Sequence, residues 1–200
     1  MTRTIFAIIV LLGLSLQSAR AEPIIGQLAP AFTAIDSNGK SRSLSDFAGK
    51  TVILEWTNDG CPYVKKHYNS GNMQKLQQEL TSKGAVWLSI ISSAPGKQGH
   101  VNGAGANQLR ASRSANPTAV LLDPTGMIGR AYDAQTTPHM FVIDKTGKLR
   151  YMGAIDDQPS TDTATIATAR NYVREAFAAV SVGHVVKEKA TDAYGCSVKY

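Results

Sequence analysis

Cysteine and histidine are scarce in this sequence of 200 residues, which holds two cysteines and four histidines. Because Cys61 and Cys196 are far apart in the chain, it has no Cys-x-x-Cys metal or dithiol motif. The sequence also shows no evident Gly-rich phosphate loop, Ser-His-Asp arrangement or pair of catalytic carboxylates. We therefore expect no cofactor and no metal. The alternative is a copper or zinc site formed by Cys61 with His67 and His139, for which the sequence signal is weak.

A basic stripe interleaved with aromatic residues is also missing. The chain has 21 Lys and Arg against 15 Asp and Glu, a formal net charge of +6. Its basic residues are scattered, apart from Lys65–Lys66 and the pair Lys187 and Lys189. The sequence therefore gives little support to nucleic acid as a partner.

The apolar run at the N-terminus, Ile5–Leu16, is too short to cross a bilayer as a permanent helix. Arg3 precedes this run and the small residues Ala19 and Ala21 follow it, a pattern typical of a secretory signal peptide over residues 1–21. We expect cleavage near Ala21 and a periplasmic or otherwise exported protein with no stable membrane span. A buried first strand or a retained anchor is the alternative.

Turns and apolar runs predict one α/β domain over residues 22–182. Asp36–Gly39, Asp123–Gly126 and Asp144–Gly147 each have the Asp and Gly of a type I turn, and each follows a run suited to a strand. The nearly continuous apolar runs Thr51–Trp56 and Ala85–Ile91 predict central strands covered on both faces.

Helical periodicity lies between these strands. Apolar residues at helical spacing predict one helix within residues 72–84 and a second, with a core-facing stripe, from Ile166 to Val180. We expect a surface loop over Ser92–Asn107 and a short helix after it, at residues 107–114. This order of elements predicts a sheet with helices on both sides.

Cys61 follows an apolar strand and precedes Pro62, a residue favoured at the first position of a helix. As the N-cap, Cys61 would face free backbone N–H groups, which lower a thiol pKa, and Lys65 and Lys66 would add positive potential. Such a thiolate is a nucleophile toward a disulfide or a peroxide. The alternatives are a buried cysteine that packs as a small hydrophobe or one half of a structural disulfide.

Two longer stretches carry a family resemblance. The run "GQLAPAFTAIDSNGKSRSLSDFAGKTVILEW" before Cys61-Pro62, and "TPHMFVIDKTGKLRYMGAID", resemble the alkyl hydroperoxide reductase/thiol-specific antioxidant (peroxiredoxin-like) family over most of Gly26–Val180. The resemblance implies a thioredoxin-like fold with a central mixed sheet and an N-terminal β-hairpin extension. It also implies a cis bond between Thr137 and Pro138, which would face the redox cysteine and expose backbone to a partner chain.

The chain departs from these relatives around the cysteine. Val64 stands where a thioredoxin-type enzyme has its second cysteine, so a vicinal dithiol cycle is excluded. A typical peroxiredoxin has Thr or Ser three residues before its reactive cysteine and Pro seven residues before it. In this chain those positions hold Asn58 and Leu54, and Thr57 lies one residue too early to match the Thr or Ser. We expect Thr57, Asn58 and Lys65 to tune the thiolate.

Cys196 lies in a C-terminal tail, residues 183–200, that we expect to be mobile enough to reach Cys61. The leading hypothesis is an exported thiol-dependent oxidoreductase that reduces peroxide, with Cys61 as nucleophile and Cys196 as resolving thiol. Its partners would be a peroxide or a protein disulfide and an unknown thiol reductant protein. One alternative is thiol–disulfide exchange with a periplasmic partner. The other is a non-catalytic binding module with a structural Cys61–Cys196 disulfide.

We expect Asp156-Asp157 to form a solvated turn.

Overall fold

The computed structural model describes residues 23–200, and the predicted signal peptide lies outside the described residues. The described chain is an α/β structure with the thioredoxin-like fold. Its strands are β1 Thr33–Asp36, β2 Ser41–Ser43, β3 Val52–Trp56, β4 Val86–Ile91, β5 Ala119–Leu122, β6 Thr136–Thr137, β7 His139–Ile143, β8 Leu149–Gly153 and β9 Cys196–Ser197. Its α-helices are α1 Pro62–Asn69, α2 Asn72–Ser82, α3 Gly103–Ser112, α4 Met127–Ala131 and α5 Tyr172–Ser181, with 3₁₀ helices at Leu44–Phe47 and Thr163–Thr168.

Seven strands form a mixed sheet in the order β2-β1-β5-β4-β3-β7-β8. Strands β3, β4 and β5 are parallel, and the remaining pairs are antiparallel. The β1–β2 hairpin joins the sheet through β5, which confirms the predicted N-terminal extension. Every residue of β3 and β4 is buried, as their continuous apolar sequences predicted.

Helices cover both faces of the sheet. One core cluster lies beneath α1, α2 and α5 and includes Ile53, Val64, Leu76, Met140 and Phe177. The opposite cluster lies beneath α4 and the first 3₁₀ helix. Neighbouring strand residues enter opposite clusters because side chains alternate along a strand.

The three predicted turns are present, and each closes through a hydrogen bond from the Gly amide to the Asp carbonyl. The N–O distances are 2.9 Å for Asp36–Gly39, 3.0 Å for Asp123–Gly126 and 2.9 Å for Asp144–Gly147. Each Gly has a positive φ. The turn residues therefore predicted where the strands end.

Two helix predictions were wrong at their N-terminal ends. Helix α3 begins at Gly103, inside the predicted loop, because the Asn102 side chain caps it by accepting from Gly105 N at 2.9 Å. The predicted helix from Ile166 is divided into a 3₁₀ helix and α5. Asn171 starts α5 by accepting from Arg174 N at 2.8 Å, so Ile166 lies outside this helix and is only half-buried.

No helix within residues 23–200 has the length and the apolar character needed to cross a membrane.

Glu55 is a charged residue of β3 that is fully buried. Its carboxylate accepts hydrogen bonds from Tyr68 Oη, Trp87 Nε1 and Ser89 Oγ, each at 2.8 Å, and from Gln77 Nε2 at 3.3 Å. These donors belong to α1, β4 and α2, so one carboxylate connects the sheet to the helix that begins at Cys61.

We predict that Glu55→Ala lowers the free energy of unfolding by about 3 kcal/mol or more, since it leaves several buried donors unsatisfied. Denaturant unfolding measures this loss. The control is Glu79→Ala, which removes half-exposed ion pairs to Lys83 and Arg174 and should cost less than about 1 kcal/mol. Equal losses in the two variants would contradict a structural role for the Glu55 network.

Candidate active site

Cys61 is the N-cap residue of α1, with Pro62 at the first position of the helix, as predicted. Its side chain is fully buried. The thiol donates a hydrogen bond to the carbonyl oxygen of Thr137 at 3.0 Å and makes no N-cap hydrogen bond. The proton of the reduced thiol is thus directed at β6, while the Val64 amide in the first turn of α1 lowers the pKa of the sulfur, as expected for an N-cap cysteine.

The bond between Thr137 and Pro138 is cis, as the family resemblance implied. Thr137 is buried at the end of β6, and β7 starts immediately after Pro138. The backbone before the proline therefore faces Cys61 directly.

Cys196 lies beside the same backbone segment. Strand β9 pairs antiparallel with β6, and Cys196 is the cross-strand partner of Thr137. The Cys196 thiol is near enough to the Cys61 thiol for each to shift the pKa of the other, and both residues are free cysteines. The structure therefore brings together two sulfur atoms from opposite ends of the domain.

The two thiols have opposite pKa shifts. Burial raises the pKa of Cys61, but interactions with the Cys196 thiol, the Thr137 side chain and the Val64 amide outweigh it, so the net pKa is lowered. Burial and the hydrogen bond to Cys61 raise the pKa of Cys196 to about 11. Cys61 therefore loses its proton first, and Cys196 keeps a proton that it donates to the Cys61 thiolate.

The tail is docked along the domain. Thr191 Oγ1 lies 2.6 Å from Tyr151 Oη and accepts from Ala154 N at 3.0 Å. Tyr194 donates to the Asp156 carboxylate and packs its ring 5.7 Å from that of Tyr63. These contacts hold the segment that leads into Cys196.

Thr57 and Asn58 are buried in the loop between β3 and α1. Asn58 organises this loop, because its side chain donates to Gln98 O at 3.1 Å and accepts from Gly60 N at 2.8 Å. Thr57 Oγ1 is buried with no hydrogen-bond partner among the described residues. Both residues line a cavity of about 30 Å³ whose other walls do not include Cys61.

The two lysines of α1 point in different directions. Lys65 is exposed, whereas Lys66 is buried and donates to Gln158 O at 2.8 Å. Burial lowers the pKa of Lys66. Neither ammonium group is hydrogen-bonded to the Cys61 sulfur, so local hydrogen bonds, rather than an adjacent cation, account for the lowered thiol pKa.

Asp156 is buried, so the prediction of a solvated turn was wrong for this residue, whereas Asp157 is exposed. Sequence reasoning also missed its partner Tyr194, although an aromatic residue beside Gly195-Cys196 was a usable signal. His67 Nε2 lies 3.3 Å from Tyr194 Oη and belongs to the same buried cluster.

The two histidines near the site are uncharged at neutral pH. Burial lowers the pKa of His67 and of His139 to about 4. His67 lies 2.8 Å from the Asn72 amide nitrogen, and His139 accepts from Gln135 N at 3.3 Å. Within the described part of the chain, no three Cys, His, Asp or Glu side chains are grouped so that they could hold a metal ion.

Comparison with known sequences agrees with this architecture. The Redoxin family profile matches residues 24–170. The chain belongs to the Redoxin family. The matched residues include Cys61 and Pro138 but end before Cys196, so the second thiol lies outside the family match.

Two curated relatives resemble this Redoxin domain. Thioredoxin-like protein YneN of Bacillus subtilis is 28% identical over 127 residues, which is 62% of this chain and 68% of YneN. Thiol-disulfide oxidoreductase ResA of Bacillus thuringiensis is 29% identical over 125 residues, 62% of this chain and 66% of ResA. The chain thus spans about two thirds of these relatives.

Among solved structures, an uncharacterized conserved protein from Geobacillus kaustophilus superposes with a TM-score of 0.74 at 24% identity. The superposition covers 88% of this chain and 92% of that protein. At this level of identity, the likeness supports the fold alone.

We predict that Cys196→Ala raises the pKa of Cys61, because it removes a thiol whose hydrogen bond lowers that pKa. Cys196→Ser is the matched control, because its hydroxyl can still donate and should preserve most of the lowering. Ultraviolet absorbance of the thiolate, followed as pH is varied, measures the pKa without requiring access to the buried sulfur. Identical titrations of the two variants would contradict this role of Cys196.

Proposed function

We propose that this protein is a thiol–disulfide oxidoreductase in which Cys61 is the nucleophile and Cys196 is the second redox thiol. The observation that carries the proposal is the pair of free thiols brought together at Thr137, beside the cis Thr137–Pro138 bond, with opposite pKa shifts. A low-pKa thiolate starts disulfide exchange, and a second thiol within reach completes it. The similarity to ResA supports the same chemistry.

In the forward reaction, the Cys61 thiolate attacks one sulfur of a partner disulfide. The partner S–S bond breaks, a Cys61–partner bond forms, and the other partner sulfur leaves as a thiolate that takes up a proton. Cys196 then loses its proton and attacks the Cys61 sulfur, which releases the partner as a dithiol and forms a Cys61–Cys196 disulfide. Two electrons pass to the partner, and the reverse sequence oxidises a dithiol.

Peroxide reduction, the leading reaction inferred from the sequence, has less support than this alternative. The relative with a named activity is a thiol-disulfide oxidoreductase. Thr57 and Asn58 line a cavity whose walls do not include Cys61, and Lys65 is exposed. Neither Thr57 nor Asn58 is hydrogen-bonded to the Cys61 sulfur among the described residues, and this favours disulfide exchange over peroxide reduction.

The proposed substrate is a protein disulfide or dithiol outside the cytoplasm. The signal-like N-terminus supports export, and disulfides persist in oxidising compartments. Thr137 and Pro138 would present backbone to the partner chain, with Pro62 on the exposed rim of the same site.

We predict that reduced protein mixed with oxidised glutathione loses two hydrogen atoms in intact mass and gains a Cys61–Cys196 link in peptide maps. Cys196→Ser should stop at a glutathione adduct on Cys61, and Cys61→Ser should give no rapid adduct. Hydrogen peroxide in a parallel sample decides between the two reactions. If hydrogen peroxide oxidises the protein and oxidised glutathione does not, the result would restore the peroxidase hypothesis and refute disulfide exchange.

A redox titration distinguishes a catalytic disulfide from a structural one. Structural disulfides in secreted proteins usually have potentials below about −300 mV, whereas exchange catalysts lie above that value. We predict a potential above about −300 mV for the Cys61–Cys196 pair, measured by equilibration with thiol buffers of known potential. A lower potential, with loss of folding in Cys61→Ser, would support the non-catalytic binding module.

A further inference from the structure

The edge of β6 is already occupied by the chain itself. Thr136 and Thr137 pair with Ser197 and Cys196, and Val198 N donates to Gln135 O at 2.9 Å. An open strand edge offers the main-chain groups that an extended segment of another protein uses to bind by strand addition. The residues of β9 therefore satisfy the groups that an incoming extended chain would need.

This occupancy closes the site. The Cys61 side chain has no exposed surface, its thiol donates to the Thr137 carbonyl, and Cys196 lies opposite Thr137 on β9. A thiolate must approach the sulfur it attacks, so a disulfide held in a protein cannot react with Cys61 while β9 remains in place.

We propose that Gly195–Tyr200 is a detachable strap that closes over Cys61 and yields the β6 edge to an extended, cysteine-bearing segment of a partner protein. This proposal rests on the proposed exchange function and specifies how the partner gains access. The strap and the partner segment would use the same backbone groups, so binding of one excludes the other.

Tyr200 acts as the latch of the strap. Its ring lies 4.4 Å from the Arg130 guanidinium carbon, and its hydroxyl donates to Ala134 O at 2.6 Å. The ring fits against α4 because Gly129 has no side chain: a Cβ there would lie 2.4 Å from Tyr200 Oη. This contact involves no residue of the thiol pair, so the latch can be altered separately from the chemistry.

Gly195 marks the start of the strap. Its φ is +147°, and a Cβ at this position would lie 2.1 Å from the Thr137 carbonyl oxygen, so only glycine fits. The preceding segment is held independently by Thr191 and Tyr194. A rotation at Gly195 could therefore release Cys196–Tyr200 while residues up to Tyr194 stay docked.

The strap also links release of the partner to the chemistry. After the partner has formed a mixed disulfide with Cys61, the attack by Cys196 breaks that bond and forms the Cys61–Cys196 bond. The same movement returns β9 to the β6 edge. Departure of the partner and closure of the strap would then be one event.

The test uses the full chain with Cys196→Ser, which leaves Cys61 as its only thiol. We expect Tyr200→Ala in this background to speed alkylation of Cys61 by iodoacetamide about tenfold, the scale set by losing a half-buried aromatic contact. Tyr200→Phe is the matched control: it loses only the hydroxyl bond to Ala134 and should stay closer to the parent rate. Circular dichroism and thermal unfolding show whether each variant retains its fold.

Equal alkylation rates in folded Tyr200→Ala and its parent would overturn the strap. This readout requires no exchange chemistry, so it is distinct from failure of the proposed function. Faster alkylation without any reaction with oxidised glutathione would leave the strap in place and refute the exchange proposal.

A second measurement tests the partner. Tyr200→Ala should speed mixed-disulfide formation with an extended peptide disulfide more than it speeds the reaction with glutathione, because only the peptide needs the freed β6 edge. Equal acceleration of both reactions would show that the strap limits access to the sulfur without competing for a strand-binding surface, and would overturn that part of the proposal.

Discussion

The site depends on one peptide carbonyl, that of Thr137. It accepts the hydrogen bond of the Cys61 thiol at 3.0 Å, and the same residue is the cross-strand partner of Cys196. The cis bond to Pro138 follows immediately and leads into β7, which pairs with β3 along its whole length. The central sheet therefore fixes the position of this carbonyl, and the carbonyl in turn relates the two sulfur atoms.

The electrostatics of the pair follow from burial and hydrogen bonding in a site with little charge. His67 and His139 have pKa values of about 4, and Lys66 is directed at the Gln158 carbonyl. The Cys61 thiolate is stabilised mainly by short-range donors, and Cys196 is one of them. Movement of the strap would remove that donor at the moment when Cys61 becomes accessible, so nucleophilicity and access are coupled through one residue.

Local sequence predicted the elements of the sheet because turn residues and apolar runs act over a few positions. Pro62 likewise identified the start of α1, and the family resemblance identified the cis bond. The errors came from polar side chains whose role depends on their neighbours: Asn102 and Asn171 start helices, and Asp156 is buried because Tyr194 covers it. The pairing of the tail with β6 could not be predicted, since β9 is two residues long and gains its structure from β6.

The position of the second thiol explains why this Redoxin domain needs a strap. Val64, the site of the second cysteine in a thioredoxin-type enzyme, is fully buried in the core beneath α1. A thiol supplied by the same helix would leave the β6 edge open, whereas a thiol supplied by β9 must cover that edge to reach Cys61. Under the proposed mechanism, resolution by Cys196 and binding of a partner at β6 would compete for one surface, and a detachable six-residue strap is a physical solution to that competition.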